Sequence, residues 1–408
     1  MIGYFEGFDY GGGVAEKDVV VVVWPTTGNR VCLVDADLLP YRVGFVIGEL
    51  PYLEAIALVE AGHCKTIKDT PQFESAFELL CTTLNSWVRR SNCDAALLFS
   101  TKSDANFRLD IAYSDDYKGQ RTGVKPPFFN ELKEEMTTRL GCLLADGIEA
   151  DDWLSIKTYE FIHELGVEAG SAQHKEFANS VVASSDKDST ISAGWNFNPD
   201  NGKMQWVTTI GDLRPKYVNK MVKAYETIGT GKFWARGEKA GQEKTKRVCV
   251  GERPSEALKD LKGSGLMFFY AQVVMGDTSD NYRGITGKGK TTAYELLRNC
   301  KTEKELYMKV LGLYQEAYGK GLHWCPHFKG TEGYFNLHKE VHGTPPDDWS
   351  IWKGRGAWLS AYDRMLEQGR LAWMMQYEGD IWRKDKGRII NANDLDFWRY
   401  YDEANTGN

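Results

Sequence analysis

The sequence predicts an α/β fold in which a mostly parallel central sheet is flanked by helices. Short apolar runs that are typical of buried strands occur at 30–39, 95–99 and 180–184. Longer stretches with helical periodicity accompany them, most clearly at 73–89 and 151–165. Strands that alternate with helices indicate a parallel sheet, and such sheets bind ligands beyond the carboxyl ends of their strands.

The 408-residue chain is long enough for two or three structural parts. A glycine-rich start and a run of five valines at 19–23 predict a lead-in with one strand. Turn residues and charges crowd the middle of the chain, and the C-terminal part is helical in pattern and rich in tryptophan. We therefore expect five segments: a lead-in at 1–27, an α/β core at 28–194, an insertion at 195–262, a helix–hairpin–helix module at 263–300 and a helical region at 301–408.

Composition limits the classes of protein that fit. No apolar run reaches the roughly 18 residues of a membrane span, and the N-terminus lacks the features of a secretory signal. The eight cysteines include no C-x-x-C pair, which is typical of a reduced, cytoplasmic setting (the host cytoplasm if a phage encodes the protein). The net charge of −7 becomes +1 once eight grouped carboxylates are discounted as metal-bound, so a nucleic-acid partner is not excluded.

Those eight carboxylates fall into four tight groups. A spacing of two in a strand, or of three in a helix, places the side chains of one group on one face. If the fold brings the groups together, their repulsion requires bound cations, and oxygen-only ligands favour Mg²⁺ or Mn²⁺ over zinc. For any single pair, chance grouping of surface acids is the alternative. The groups are Asp35; Glu149, Asp151 and Asp152; Asp186 and Asp188; and Asp277 and Asp280.

A basic segment precedes the second acidic group. Tyr117, Lys118 and Arg121 place an aromatic ring and two cations close together, before a loop. A cation beside a two-metal site can stabilise charge that develops on a phosphoryl oxygen. A solvated basic turn is the alternative interpretation.

A glycine-rich turn follows the last acidic group. Gly287 and Gly289 flank Lys288 where a helix is predicted to begin, and Lys290 follows. Glycine lets a phosphate approach the backbone, the helix N-terminus can hold it, and the lysines add attraction that does not depend on base sequence. No apolar strand precedes the glycines and the Walker A spacing is absent, so nucleotide-binding motifs are excluded, while a simple helix cap stays open.

Taken together, these segments resemble the 5′-nuclease family of flap endonucleases, the 5′-nuclease domain of bacterial DNA polymerase I and phage 5′→3′ exonucleases. The family's blocks appear in family order as VDADLL, YKGQR, IEADD, SDKD, MGDTSDN and GITGKGKTTA. The resemblance covers roughly residues 30–300 and is strongest to the phage exonucleases. It implies a PIN-like α/β core with a helix–hairpin–helix module.

The resemblance also implies a role for each matching residue. Asp35, Glu149, Asp151 and Asp152 would form a first metal site supported by Asp37, and Asp186, Asp188, Asp277 and Asp280 a second. Lys118 and Arg121 would be the catalytic cations or would steer the phosphate. DNA contacts would come from Arg42, Tyr117, Gly284, Gly287, Lys288, Gly289 and Lys290, with a K⁺ ion on the hairpin carbonyls. The aspartate that the family has near Ser100 and Thr101 is missing, and Asp104, the nearest carboxylate, is the candidate ligand.

A separate cluster of histidines lies near the C-terminus. Cys325, His327, His338 and His342 have a spacing that fits a structural zinc site, although it matches no standard finger. A surface turn is the alternative.

The implied activity is that of a Mg²⁺-dependent (or Mn²⁺-dependent) 5′→3′ exonuclease that uses two ions on duplex DNA ends and leaves 5′-phosphates, in phage replication or recombination. Flaps and RNA–DNA hybrids are further implied substrates, and replication proteins are possible partners. Two alternatives stay open. One is a non-catalytic, structure-specific DNA-binding protein. The other is an RNA-directed nuclease of a related small α/β fold, which usually lacks the hairpin module.

Overall fold

The computed structural model divides into two compact units, Leu213–Lys262 and the remainder of the chain. The structure describes residues 30–112, 114–121, 123–319, 321, 323–325, 357–385 and 388–389, with backbone only at 103–105, 323–325, 357–358, 384–385 and 388–389. The valine run at 19–23 lies outside this part of the chain. No helix within it is long and apolar enough to cross a membrane.

A six-stranded sheet forms the centre of the larger unit, in the order β3-β2-β1-β4-β5-β6. Its strands are parallel except for β6, which pairs with β5 in the antiparallel sense. The predicted α/β fold with a mostly parallel sheet is thereby confirmed. The strands are β1 (Val31–Asp35), β2 (Ala95–Asn106), β3 (Leu143–Gly147), β4 (Ser180–Ala183), β5 (Gly194–Asn198) and β6 (Lys203–Val207).

Helices flank this sheet and make up most of the described C-terminal part. They are α1 (Leu38–Ile47), α2 (Glu49–Glu60), α3 (Pro71–Arg90), α4 (Phe107–Ile111), α5 (Phe129–Leu140), α6 (Ala150–Leu165), α7 (Ala172–Phe177), α8 (Gly265–Met275), α9 (Lys290–Leu297), α10 (Glu303–Tyr318) and α11 (Ala361–Ala372). The smaller unit is built from β7 (Asp212–Phe233) and β8 (Glu243–Ser264). Short strand pairs join β9 (His323–Cys325) to β10 (Ala357–Leu359) and β11 (Lys384–Asp385) to β12 (Arg388–Ile389).

Helix α3 shows how local sequence specifies an element here. Thr70 caps its first turn by accepting a hydrogen bond from the Phe73 amide at 3.3 Å, and Pro71 occupies the first turn, where its missing N–H costs nothing. Its buried residues repeat every three or four positions, which forms one apolar stripe. The stripe packs against the sheet: Phe73, Ala76, Phe77, Leu80, Leu84, Trp87 and Val88.

The central strand β1 is buried on both faces because helices cover both sides of the sheet. Cys32 and Val34 face a core shared with α1, α3 and α5, while Val31 and Leu33 face a second core shared with α6. Alternation along a strand sends successive side chains to opposite faces, so a continuous apolar run is what a doubly covered parallel strand requires.

Strand register brings the functional candidates to one edge. Asp35, the last residue of β1, lies opposite Phe99 of β2, and β4 ends beside it at Ala183. Residues that follow these parallel strands therefore meet at the carboxyl edge of the sheet.

Within the segment expected as an insertion at 195–262, the structure places β5 and β6 in the main sheet and assigns Leu213–Lys262 to the smaller unit. Strand β3 was not predicted, because its sequence LLADG exposes most of its side chains and carries a weak apolar signal.

His327, His338 and His342 lie outside the described residues, and Cys325 is described by backbone only, so the zinc prediction stays a prediction.

Candidate metal centre

Three carboxylates from two distant segments converge most tightly. Asp188, Asp277 and Asp280 are buried, and each offers an oxygen within 4.8 Å of the others. Asp188 begins a 3₁₀ turn shortly after β4, and the other two lie in the loop between α8 and α9. Buried acids this close repel one another strongly when ionised, so the arrangement favours either protonation or a bound cation.

The pair Asp186 and Asp188 was expected on a strand, and the pair Asp277 and Asp280 on a helix. The structure places both pairs in turns and loops instead. Strand β4 ends at Ala183, and Asp186 instead accepts a hydrogen bond from the Asp188 amide at 2.9 Å in a turn. Asp277 sits in a loop closed by a backbone bridge to Tyr282 and accepts from the amide and hydroxyl of Ser279 at 2.7 and 2.5 Å. Short polar turns, not regular periodicity, bring the carboxylates together.

Lys187 lies between the two segments and was missed by sequence reasoning. Its ammonium pairs with Asp277 and lies 3.2 Å from an oxygen of Asp188. Gln272 of α8 donates a hydrogen bond to the same oxygen of Asp188 at 2.5 Å. The position of Lys187 inside the SDKD block was the only available signal for it.

The second part of the site is the N-terminus of α6. Glu149 is its N-cap residue, and Asp151 and Asp152 occupy the first turn, where the helix dipole favours negative charge. Glu149 is 9% exposed and accepts hydrogen bonds from Tyr117 at 3.0 Å, Asn106 at 3.2 Å and Lys118.

Asp151 is the carboxylate that the protein leaves least satisfied. Its Oδ1 atom is buried and has no hydrogen-bond partner among the described residues. Burial raises the pKa of Asp151 well above its usual value, and the charges of Asp35, Asp186 and Glu149 raise it further. An unpartnered buried oxygen beside three other carboxylates fits a hard, oxygen-seeking cation such as Mg²⁺ or Mn²⁺.

Asp152 has a different environment from its neighbours. The fully buried guanidinium of Arg108 binds both of its oxygens, at 2.6 and 2.8 Å, and also donates to the carbonyls of Leu371 and Trp373 at the end of α11. The Met375 amide donates to Asp152 as well, at 3.4 Å. Because its oxygens are occupied by these donors, we assign Asp152 to holding α6, α4 and the C-terminal segment together rather than to direct metal ligation.

The pKa values of the acids record this crowding. Burial and, after it, the charge of Asp37 raise the pKa of Asp35 to about 7. Burial and then Asp186 raise the pKa of Asp188 to about 7. Burial opposes ionisation of Asp277 too, but hydrogen bonds from Lys187 and Ser279 outweigh it and lower that pKa. The site therefore holds more carboxylates than its own cations neutralise. We call Asp35, Glu149, Asp151, Asp186, Asp188, Asp277 and Asp280 the acidic cluster.

The turn that carries the candidate catalytic cations is fastened to the cluster. The Lys118 amide donates to the carbonyl of Asp280 at 3.0 Å, and the Asn281 side chain donates to the carbonyl of Asp116 at 2.8 Å. Lys118 adopts φ +53°, an uncommon conformation that these contacts hold. Arg121 reaches back to Asp280 at 2.7 Å, and its side chain stays 55% exposed.

Tyr117 was expected to contact DNA, but the structure buries it. Its ring is 5% exposed, and its hydroxyl lies 3.0 Å from Glu149 and 3.4 Å from Asp280. The ring is therefore not exposed for stacking on a base, and the hydroxyl contacts two carboxylates of the site. Arg42, also predicted to contact DNA, pairs with Asp200 and stacks over Trp87 at 5.2 Å.

A carboxylate lies beside Ser100 and Thr101, where the resemblance led us to expect an aspartate. Asp37, beyond the end of β1, accepts from the Ser100 hydroxyl at 2.6 Å and the Thr101 amide at 3.0 Å, and Lys133 lies 3.1 Å from it. The Asp37 carboxylate, which follows the neighbouring strand β1, therefore lies beside the position on β2 where no aspartate is present. Asp104 lies in β2, and its side chain is outside the described residues.

The glycine-rich loop between α8 and α9 is packed closely at its base. Gly276 and Gly284 have positive φ, and a Cβ on either would lie 2.3–2.4 Å from the other strand of the loop, so no side chain fits. Gly287 also has positive φ, and Gly289 caps α9. Lys288 lies 3.3 Å from Glu316 of α10.

No family model and no curated protein matches this sequence. Solved structures do match. The bacteriophage T5 flap endonuclease in a pseudo-enzyme–product complex with DNA and metal ions aligns at 14% identity and a TM-score of 0.38, over 69% of this chain and 88% of that one. A zinc-bound T5 5′-exonuclease aligns at 14% identity and a TM-score of 0.34, over 70% and 89%.

Proposed function

We propose that this protein is a metal-dependent nuclease that cleaves phosphodiester bonds in DNA, acting as a 5′→3′ exonuclease. The observation that carries the proposal is the convergence of the acidic cluster, with an unpartnered buried oxygen on Asp151, beside Lys118 and Arg121. The acidic cluster offers only oxygen atoms as metal ligands, which fits Mg²⁺ or Mn²⁺. We assign Asp35, Glu149, Asp151 and Asp186 to one ion and Asp188, Asp277 and Asp280 to the other.

Two such ions, when bound, would supply an activated water and stabilise charge on the attacking and leaving oxygens. The chain's own groups do the rest. Lys118 and Arg121 have side chains 23% and 55% exposed, so they can face a scissile phosphate from the rim of the cluster. Tyr117 and Gln272 fix the orientation of carboxylates by hydrogen bonding to Glu149 and Asp188.

We assign duplex binding to the loop from Gly284 to Lys290. The turn at Gly287 and the amides at the start of α9 can donate hydrogen bonds to a backbone phosphate, and Lys288 and Lys290 add charge. Carbonyls of this loop are the proposed K⁺ site. Such contacts read the DNA backbone rather than its bases, so we expect little sequence preference.

The proposal is tested with purified protein and 5′-labelled duplex, flap and RNA–DNA hybrid substrates. We expect release of short 5′-phosphorylated products in Mg²⁺ or Mn²⁺ and none in EDTA. Tight structure-specific binding with no cleavage in either ion would instead identify a non-catalytic DNA-binding protein. Cleavage of RNA alone would favour an RNA-directed nuclease.

Replacing Lys118 with methionine should slow the chemical step by about 10²-fold or more, because a cation near the developing negative charge is lost. Methionine keeps the length of the side chain. The measurement is the single-turnover rate at saturating enzyme, with Lys125→Met as control, since Lys125 lies in the next loop and stacks on Phe129. An unchanged rate for Lys118→Met would refute the catalytic role of Lys118.

The raised carboxyl pKa values predict a pH dependence of stability in metal-free protein. Asp35 and Asp188 bind protons in the folded state up to about pH 7, but in the unfolded state only up to about pH 4. Because the folded state binds these protons more tightly than the unfolded state, the free energy of unfolding is higher at low pH and falls as the pH rises towards 7. In EDTA we expect a lower melting temperature at pH 7.5 than at pH 5.5. Added Mg²⁺ should raise the pH 7.5 value selectively, and equal shifts at both pH values would contradict the assignment.

A further inference from the structure

The smaller unit is a long, two-stranded β-ribbon with no core of its own. Strands β7 and β8 each contain 22 residues, whereas strands are commonly three to ten residues long. Nothing between 213 and 260 is buried. Isolated two-stranded ribbons are marginally stable in water, so an extended one that exposes both faces is best explained by a surface on which it docks.

The charge of the ribbon is opposite to that of the rest of the chain. Residues 213–262 contain thirteen Lys and Arg against six Asp and Glu, a formal charge of +7, while the remaining residues carry −14. Strand alternation gathers part of this charge, because four of the five basic residues of β7 share one face: Arg214, Lys216, Lys220 and Lys232. A concentration of positive charge on one face of a ribbon is complementary to a polyanion.

Aromatic and apolar side chains recur along the other face of β7, four residues apart from Tyr217 to Tyr225 and again at Phe233. Tyr217, Met221, Tyr225 and Phe233 are 43%, 60%, 46% and 60% exposed. Basic side chains of the ribbon reach over such rings, with Arg247 4.7 Å from Tyr225 and Lys244 4.5 Å from Trp234. Basic residues interleaved with exposed rings are typical of surfaces that bind nucleic acid.

From these observations we propose that the β7–β8 ribbon is a second DNA-binding element, which binds duplex DNA through its phosphates. The inference rests on the proposed DNA-directed function. A strand of 22 residues spans about 70 Å, which is about two turns of duplex, and the major groove is wide enough for a two-stranded ribbon. The ribbon would raise the affinity for DNA and lengthen the time that the protein stays bound to it.

The ribbon can be removed cleanly because its ends lie together. Ser264 donates a hydrogen bond to the side chain of Asp212 at 2.6 Å, and a Cβ on Gly263 would lie 2.7 Å from the Asp212 carbonyl. A two-glycine linker between Asp212 and Gly263 can therefore replace residues 213–262. A second, full-length variant neutralises five exposed cations of the ribbon to glutamine: Lys220, Lys223, Lys239, Lys246 and Arg247. The matched control neutralises five exposed cations of the larger unit: Lys65, Arg89, Lys175, Lys203 and Lys301.

Binding of a fluorescent 30-base-pair duplex in EDTA, followed by anisotropy across a salt series, separates this inference from catalysis. We expect both ribbon variants to bind at least about tenfold more weakly, with a salt slope lower by about three, and the control to stay near wild type. A ribbon that contacts the duplex should leave the single-turnover rate at saturating enzyme unchanged. Wild-type affinity and salt slope in both ribbon variants would overturn the inference, as would a ribbon deletion that only converts a dimer to a monomer. Absence of cleavage by the wild-type protein would instead count against the proposed function.

Discussion

Replacing Asp188 with asparagine is expected to reduce DNA cleavage by at least about 10³-fold, which corresponds to about 4 kcal/mol of lost transition-state stabilisation. Asp188 is one of three buried carboxylates whose oxygens lie within 4.8 Å of one another. Asparagine keeps the shape and the oxygen that accepts from Gln272, but it removes the charge that a divalent cation requires. The measurement is the single-turnover rate on 5′-labelled duplex in Mg²⁺.

The matched control for this variant is Asp94→Asn. Asp94 precedes β2 at the opposite edge of the sheet and accepts from the Arg30 amide at 3.1 Å, a contact that asparagine can keep. We expect wild-type cleavage from the control and retained DNA binding by both variants. Full activity of Asp188→Asn would remove the metal assignment for the trio.

The second large effect is on stability. Arg108→Met should lower the free energy of unfolding by about 3–5 kcal/mol, because it leaves the fully buried Asp152 without its cation. Two backbone carbonyls, of Leu371 and Trp373, lose their donor at the same time. Urea unfolding in EDTA measures the change without a contribution from bound metal.

A double variant separates the buried charge from packing. Arg108→Met combined with Asp152→Leu removes both charges and should recover part of the loss, since replacing a buried ion pair by apolar residues is often close to neutral. Recovery should be incomplete because Asp152 also accepts from the amides of Glu149 and Met375. A single variant as stable as the wild type would show that Arg108 does not hold this end of α6.

The sequence predicts some elements of the fold well and others not at all. The strands at 31–35 and 180–183 and helix α6 were predictable because their apolar runs and acidic N-terminus are strong local signals. The edge strands β3 and β6 were not, because an exposed strand has no apolar run to reveal it. The length of the ribbon could not be predicted. Neither of its faces is buried, so its sequence lacks the alternation of apolar and polar residues that marks a strand.

Within the site, residue identity was predictable but partnership was not. The motifs name Glu149, Asp151 and Asp152 alike, yet only the fold shows that Arg108 binds Asp152 while an oxygen of Asp151 has no partner among the described residues. Lys187 was invisible to motif reasoning because lysine between two aspartates is expected on any solvated turn. Long-range contacts decide which acid is a ligand candidate and which is a structural anchor.

The most direct test of the central claim is anomalous diffraction from crystals of the wild-type protein grown with Mn²⁺. The account predicts two peaks at the carboxyl edge of the sheet, one bounded by Asp188, Asp277 and Asp280 and the other by Asp35 and Asp151. Oxygen ligands should lie at about 2.1–2.3 Å from each ion. Crystals soaked at saturating Mn²⁺ with no peak at either position, and with Lys187 still paired to Asp277, would contradict it.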